Sequence, residues 1–422
     1  MTPYVITFIV MVGVFMIGCF AFKLPVGVSM LIAALCGALE GGLGTETIRM
    51  MVEGEFGYVD TILTIGCAMI FMKVIEGSGA LDALSSLIIE KFHRFPAVLL
   101  VLIPGMITGS STAAVLSAGS IMAPVLALMG IDAVTSGSII AMGALLGMIA
   151  PPVNTAALII CAGIDVPYVG FEGPLALITF PLAILFVLLL GYKQARHMDY
   201  EKLKPALEKQ DAIRKQYGVR IYIPLLVLVA LMVIFKVLKL GEDIGMPLMF
   251  LISAAVGLFT GKKINVLTAV PEAIRTAAPV MGILMGVGMF IEVMTATGVR
   301  GLVVISCLRL PSTLWLLACA ISIPLFGAVS SYGACSVLGV PFAYIYASLL
   351  GGNSVVVLAA ISLIAAVGDM MPPTALAGLF AAQVTGVEKY TEILKRCIVP
   401  IIILLVYACF FLANSKLIAG LF

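Results

Sequence analysis

The sequence predicts an all-α polytopic membrane protein made of two inverted-topology repeats, each with a re-entrant hairpin and a proline-broken helix. Three observations carry this. Hydrophobic residues form 62% of the 422 positions and charged residues only 11%, far from the roughly half-apolar, quarter-charged make-up of a soluble domain. Mean hydropathy is +1.21. Finally, the chain repeats itself: Ile103-Pro104, Ser110-Ser111 and Pro151-Pro152 return as Ile323-Pro324, Ser330-Ser331 and Pro372-Pro373, at offsets of 220, 220 and 221. Outside these anchors, Phe71 and Gly79 match Phe290 and Gly298 at offset 219, and Pro25 matches Pro247 at 222.

In chain order, the first copy (1–191) opens with spans near 3–22, 24–40 and 59–75. The start Met1-Thr2-Pro3-Tyr4 has no basic n-region and no small-residue cleavage site, so the first span is expected to be retained. An amphipathic surface piece follows at 79–94. Residues 95–130 hold two apolar arms, 95–108 and 113–129, separated by Gly109-Ser110-Ser111-Thr112. Each arm is roughly 20–25 Å long as a helix, short of the roughly 30 Å hydrocarbon core, which predicts a hairpin with a polar tip. Residues 133–164 are interrupted at Pro151-Pro152, and 174–191 is a plain span.

Residues 192–220 are read as a cytoplasmic linker. The second copy (221–422) repeats the plan with spans at 221–238, 278–294 and 397–414, a hairpin at 312–350 and a broken helix at 354–385. A hairpin returns to its own side, so each copy makes five crossings, and an odd number inverts the second copy. The linker holds eight Lys/Arg against four Asp/Glu, whereas 40–60 holds five acids against one Arg. Positive charge in short loops marks the cytoplasmic side. The linker and the 388–396 loop then lie inside, and both termini lie outside. Lys236, Lys239, Arg300 and Arg309 fall outside, against the trend.

A net charge of +2 offers no basic surface for nucleic acid. The nine cysteines lie mostly in apolar runs without a CxxC spacing, so they read as small buried hydrophobes, not as a metal or disulfide framework. His93 and His197 sit beside Lys or Arg at span ends and suggest no metal.

The broken stretches carry the chemistry. An unpaired N–H or C=O in hydrocarbon costs several kcal/mol, so irregular backbone survives at depth only where protein or a polar cavity covers it. Pro151 and Pro152 remove two donors in succession and free carbonyls around Met148 to Ala150. Pro372 and Pro373 do the same around Asp369 to Met371. Carbonyl and hydroxyl oxygens at half-helix ends suit a dehydrated Na⁺, and exposed N-terminal N–H groups suit a carboxylate. Broken helices at matching places of two repeats are the pattern of a secondary transporter whose site lies between them.

The predicted substrate- and ion-binding residues are Gly109, Ser110, Ser111, Thr112, Pro151, Pro152, Asn154 and Thr155 in the first copy. Those of the second are Ser330, Ser331, Tyr332, Asp369, Pro372, Pro373 and Thr374. Within this set Ser110, Ser111, Asn154, Ser330, Ser331 and Asp369 are the Na⁺ candidates. Asp369 lies in the apolar run 354–371, where a carboxylate reads as a cation or proton site or as a helix end in water. Lys73 and Glu292 occupy matching positions and read as snorkelling or scaffold charges. No HExxH, GxSxG or His/Asp/Glu cluster lies in the spans, which argues against an intramembrane enzyme; paired hairpins favour alternating access over an open channel. No cofactor is expected beyond a coupling ion.

At Thr108-Gly109-Ser110-Ser111-Thr112, at Ala118-Gly119-Ser120-Ile121-Met122-Ala123-Pro124 and at Gly147-Met148-Ile149-Ala150-Pro151-Pro152 the chain resembles the large membrane subunit of TRAP transporters, a branch of the ion-transporter superfamily. Pro372-Pro373 matches the family's second break. At the second hairpin the chain departs, with Gly327-Ala328-Val329-Ser330-Ser331-Tyr332 where a Gly-aromatic-Leu-acid pattern is expected. The resemblance implies Na⁺-coupled uptake of a carboxylate-bearing organic anion by an elevator-type motion across the bacterial inner membrane. It also implies a small membrane subunit and an extracytoplasmic solute-binding protein. A stand-alone Na⁺- or H⁺-coupled carrier of the same superfamily is the alternative.

The orientation is open to direct test. In a cysteine-free background, an impermeant thiol reagent applied from outside is expected to label Glu53→Cys and to leave Lys204→Cys unlabelled; the reverse pattern overturns the assignment.

Overall fold

The computed structural model describes residues 3–92, 96–190, 203–238, 245–372 and 375–422. Among the described residues there is helix and no strand, as expected where water cannot satisfy the backbone and each N–H must find its carbonyl within its own segment. The first half runs α1 (Pro3–Phe20), α2 (Val26–Glu40), α3 (Glu46–Phe56), α4 (Val59–Ser78) and α5 (Ala80–Phe92). It continues with α6 (Pro96–Thr108), α7 (Ser111–Leu128), α8 (Ala133–Ile149), α9 (Thr155–Gly163) and α10 (Glu172–Leu190). After α11 (Lys204–Tyr217) come α12 (Ile223–Leu238), α13 (Met246–Gly257), α14 (Val266–Ala296) and α15 (Val299–Leu308). The chain closes with α16 (Ser312–Gly327), α17 (Ser331–Leu349), α18 (Ser354–Met370), α19 (Leu376–Thr385), α20 (Tyr390–Ala413) and α21 (Ser415–Ala419). Among the described residues seven helical stretches are long and apolar enough to cross a bilayer, one of them running from α11 into α12, or eight if the bent pair α3 and α4 counts as one span.

Local devices recur at the repeat offset. Each hairpin's second arm starts at the second serine of its tip and contains a π-helical turn, Val115–Gly119 in α7 and Cys335–Gly339 in α17. Asp132 and Asn353, at offset 221, cap the helices that follow the hairpins by accepting from Thr135 N–H at 2.9 Å and Val356 N–H at 3.1 Å. Gly79 and Gly298 are both left-handed, at φ +82° and +76°, where a residue with Cβ would be strained. The feet of the hairpins lie at opposite ends of α20. A Cβ on Gly137, just past the first hairpin, would come 2.4 Å from Ile393 near the start of α20; one on Gly352, just past the second, would come 2.8 Å from Ser415 beyond its end.

Glycine lets backbones touch without a hydrophobic drive between helices. A Cβ on Gly27 of α2 would stand 2.1 Å from the Gly282 carbonyl of α14, and one on Gly54 of α3 would stand 2.4 Å from that of Gly288. The same device joins each hairpin to its broken helix. A Cβ on Gly105 would meet the Gly147 carbonyl carbon at 2.7 Å, and one on Gly368 would meet the Gly327 Cα at 2.6 Å.

The structure differs from the sequence reading in three places. The second hairpin arms have 18 and 19 residues, enough to approach a full crossing, because the serine caps start them two residues earlier than composition suggests. The span expected at 278–294 is the second half of a 31-residue helix, α14, whereas its counterpart is α3 and α4 with a 44° bend between them at Gly57-Tyr58. The linker is not a plain charged connection. In it α11 buries Leu207 and Ile213 and packs on α5. Asp211 accepts from the Ser86 hydroxyl, and Arg214 pairs with Glu90. The sparse apolar positions of α11 were masked by its charge. Lys73 pairs with Glu76 one turn along α4, at 3.3 Å.

Because the Gly327–Gly368 contact is backbone on backbone, neither side can yield. Gly368→Val is expected to abolish recovery of monodisperse protein, whereas Gly301→Ala, with nothing within 4 Å of the added Cβ, should be neutral or stabilising by up to about 1 kcal/mol. Size-exclusion profiles and melting midpoints of the two variants decide this.

Candidate functional site

The hairpin tips and helix breaks converge on one buried carboxylate. At the first tip, Thr108 returns its hydroxyl to the Pro104 carbonyl at 2.8 Å, and Gly109 turns the chain at φ +61°. A side chain there would collide with Thr155 Oγ1, 2.3 Å from the added Cβ, so only glycine lets tip and break approach this closely. Ser110 is extended and caps α7 by accepting from Ala113 N–H at 3.3 Å. Ser111, the first helical residue, has its hydroxyl free to face away from the helix. It donates to the Asp369 carboxylate at 2.5 Å. Thr112, beside it, is half-buried.

The second tip repeats this construction. Ser330 caps α17 through Gly333 N–H at 3.1 Å, and the Ser331 side chain lies near the Asp369 carboxylate. Where the first tip has Thr112, this one has Tyr332, whose hydroxyl donates to the Gly109 carbonyl at 3.1 Å. The tips therefore brace each other.

The two tips meet at the carboxylate of the second break, with Ser111 its hydrogen-bond donor. Asp369 lies on a 3₁₀ turn, Val367–Met370, that ends α18 before Met371 extends. It is only 5% exposed, and no Lys or Arg pairs with it among the described residues. The helix-end-in-water reading of the sequence does not fit this burial. Pro372 follows it; Pro373 and Thr374 lie outside the described residues. Ala375 then restarts the chain in the left-handed region at φ +39°.

The first break is held by polar side chains. Ala150 is extended, the Pro151-Pro152 peptide is cis, and Val153 N–H reaches the Met106 carbonyl at 3.2 Å. Asn154, fully buried, caps α9 through Ala157 N–H at 2.9 Å and donates its amide to Ser362 Oγ of α18 at 2.7 Å. Asn154 N–H also donates to the Tyr168 hydroxyl at 3.2 Å, which in turn donates to the Pro152 carbonyl at 3.1 Å. Thr155 Oγ1 is buried beside the Tyr332 hydroxyl without a well-formed hydrogen bond.

Ser110, Ser330 and Asn154, three of the Na⁺ candidates, thus use an oxygen to start a helix. Each cap oxygen retains a lone pair. Ser111, Ser331 and Asp369 are brought together; Asn154 meets Ser362 instead. Sequence reading missed Ser362 and Tyr168. Ser362 was detectable as a polar residue inside an apolar run, whereas the fold alone brings Tyr168 to the break. Among the described residues no group of three or more His, Cys, Asp or Glu is placed to hold a metal.

A profile of the DctM component of tripartite ATP-independent periplasmic transporters matches residues 11–415. The chain belongs to the DctM family. A putative uncharacterized transporter of Haemophilus influenzae is 29% identical over 169 residues, covering 38% of this chain and 58% of that one, so this DctM chain spans under two thirds of the length of that curated relative. The fold resembles that of the Alcanivorax borkumensis YdaH transporter, whose crystal structure was described as having an unusual topology. The TM-score is 0.60 at 16% identity, covering 89% of this chain and 88% of the other. The DctM resemblance read from the first-half motifs and from Pro372-Pro373 therefore extends over nearly the whole chain, across the second serine tip where the sequence departs.

Asn154 joins the break of one half to α18 of the other. Asn154→Ala removes a cap and leaves Ala157 N–H buried and unpaired, and is expected to destabilise the purified protein by about 1–3 kcal/mol. Asn154→Ser, which keeps a cap oxygen and buries no charge, should lose less. A thermal midpoint for Asn154→Ala equal to wild type would show that the cap contributes nothing.

Proposed function

We propose that this protein is the large membrane subunit of a TRAP-type secondary transporter that couples Na⁺ entry to uptake of a carboxylate-bearing solute. The observation that carries the reading is Asp369, buried, hydrogen-bonded by Ser111 of one tip with Ser331 of the other beside it, and with no basic partner among the described residues. A carboxylate taken out of water needs a counter-charge or a proton. A dehydrated Na⁺ between Asp369, Ser111 and Ser331 supplies that charge, and tip and break carbonyls complete an all-oxygen shell. The N-terminal ends of α9 and α19 are then left to face the solute's carboxylate.

Two inverted repeats, 1–191 and 221–422, fit the matched caps, π turns and glycine contacts and the opposed hairpin feet. Family membership supports a small membrane subunit and an extracytoplasmic solute-binding protein as partners, and the bacterial inner membrane as the location. Tyr58, at the bend between α3 and α4, donates to the Ile159 carbonyl of α9 at 3.0 Å, a contact that an elevator-type motion of the hairpins and broken helices against α1–α4 would break. The second reading is H⁺ coupling, which Asp369 also favours, because a proton on it would end its charge.

Purified protein separates the two. Na⁺ is expected to raise the thermal midpoint relative to choline at fixed pH, because a ligand bound only to the folded state stabilises it. Asp369→Asn should raise the half-saturating Na⁺ concentration about a hundredfold, while the protein still folds. Equal Na⁺ response in wild type and variant removes Asp369 from the ion site. No response in either, together with uptake driven by a pH gradient alone, establishes the proton reading.

A further inference from the structure

We propose that Phe15, Met30 and Phe326 form a latch that holds the second hairpin closed against α1 and α2, so that the structure is the state whose crevice opens at the foot of the first hairpin. The Phe15 and Phe326 rings stack with centroids 5.7 Å apart and 11° between their planes, joining α1 to α16 one turn before the second tip. Phe15 and Met30 are fully buried. A Cβ on Gly333, the third residue of α17, would stand 3.4 Å from the Met30 methyl and 3.6 Å from the Phe15 ring.

The first hairpin lacks this cover. At the repeat offset of 220, Phe326 corresponds to Met106 and Gly333 to Ala113, both only half-buried. At the offset of 222 set by Pro25 and Pro247, Met30 corresponds to Ile252 of α13, which is 36% exposed. The difference continues along the second arms. On α7, Leu116, Ser120 and Ala127 are exposed, whereas their counterparts on α17, Ser336, Val340 and Ala347, are only 1%, 1% and 8% exposed. The same face is thus packed away on one hairpin and open on the other. The feet of the hairpins lie at opposite ends of α20, so uncovering the second and covering the first would turn the site towards the other side of the membrane.

A lipid-facing surface would also leave α7 exposed. It would not explain why the same face of α17 is buried, nor why the open face of α7 starts beside Thr112 and Ala113, next to the Ser111 that bonds Asp369. Between membrane helices there is no hydrophobic drive, so association rests on packing. Stacked rings that meet in one state only therefore bias the balance towards that state. The latch rests on the alternating-access reading of the chain, whatever its ion or solute.

The test uses the full chain, cysteine-free, in nanodiscs, where reagent reaches both faces. Single cysteines Ser120→Cys and Val340→Cys report the two second arms. Without ion or solute, a water-soluble maleimide should label Ser120→Cys about tenfold or more faster than Val340→Cys. Adding Phe326→Ala should raise the Val340→Cys rate about fivefold, because that rate follows the minor state and one aromatic pair is lost. Phe326→Leu should raise it less, and stands in if the alanine variant does not fold. Met11→Ala, a truncation on α1 whose side chain packs on Gly37 of α2, is the control and should leave both rates unchanged. All variants are checked for monodisperse elution. Equal labelling of the two cysteines without further substitution overturns the state assignment, and so does a Ser120→Cys that reacts only with a lipid-soluble maleimide. An unchanged Val340→Cys rate in the Phe326 variants, or the same rise in Met11→Ala, overturns the latch. Because labelling needs neither Na⁺ nor solute, failure of the proposed coupling would leave these outcomes as they are.

Discussion

A peptide group in hydrocarbon must find its partner inside the protein, and the interior of this molecule depends on meeting that requirement at four places where helices stop. At the first break Val153 N–H is covered by the Met106 carbonyl and Asn154 N–H by the Tyr168 hydroxyl; at the tips Ser110 and Ser330 cap their own helices and Tyr332 covers the Gly109 carbonyl; at the second break Met371 N–H closes on the Gly368 carbonyl. Glycines at 105, 147, 327 and 368 bring the segments close enough for this. What remains uncovered is a small set of oxygens, and Asp369 stands among them.

The two halves share their caps and turns but not their chemistry. At the repeat offset of 221, Asp369 corresponds to Met148 and Asn154 to Ala375. One break therefore offers a carboxylate and the other an amide, and Asn154 ties its half to the other through Ser362. The tips differ as well: where the first has Thr112 the second has Tyr332, and only the longer side chain reaches the opposite tip.

Most of the architecture was legible because membrane helices obey few rules. Apolar length gave the spans, and Pro-Pro and Ser-Ser in register gave the breaks and tips within one or two residues. Asp369 stood out as an acid in an apolar run. Ser111 stood out in the polar tip, but its pairing with Asp369 did not, because 258 positions separate them and no local pattern encodes it. The helix α11 was hidden for a different reason: with eight Lys/Arg in 192–220 its composition says linker, and only three buried side chains, Leu203, Leu207 and Ile213, say otherwise. The bend between α3 and α4 has no counterpart in α14, although the latter carries Pro271 and Pro279, so proline content alone did not locate it.

The glycine contacts also fix where the molecule can shear. Main chain lies on main chain between α2, α3 and α14, and again between each hairpin and its broken helix. Surfaces meshed at that distance lock like gear teeth and travel together. Between these two groups of helices the contacts pass through side chains: Tyr58 to the Ile159 carbonyl, and Phe15 and Met30 to the region of Gly333. A methionine or a phenylalanine can re-seat where a backbone cannot, so these side-chain contacts tolerate a change that the glycine contacts do not. The placement of glycine thus gives the packing two grades of tolerance, tight within each set of helices and looser between the sets.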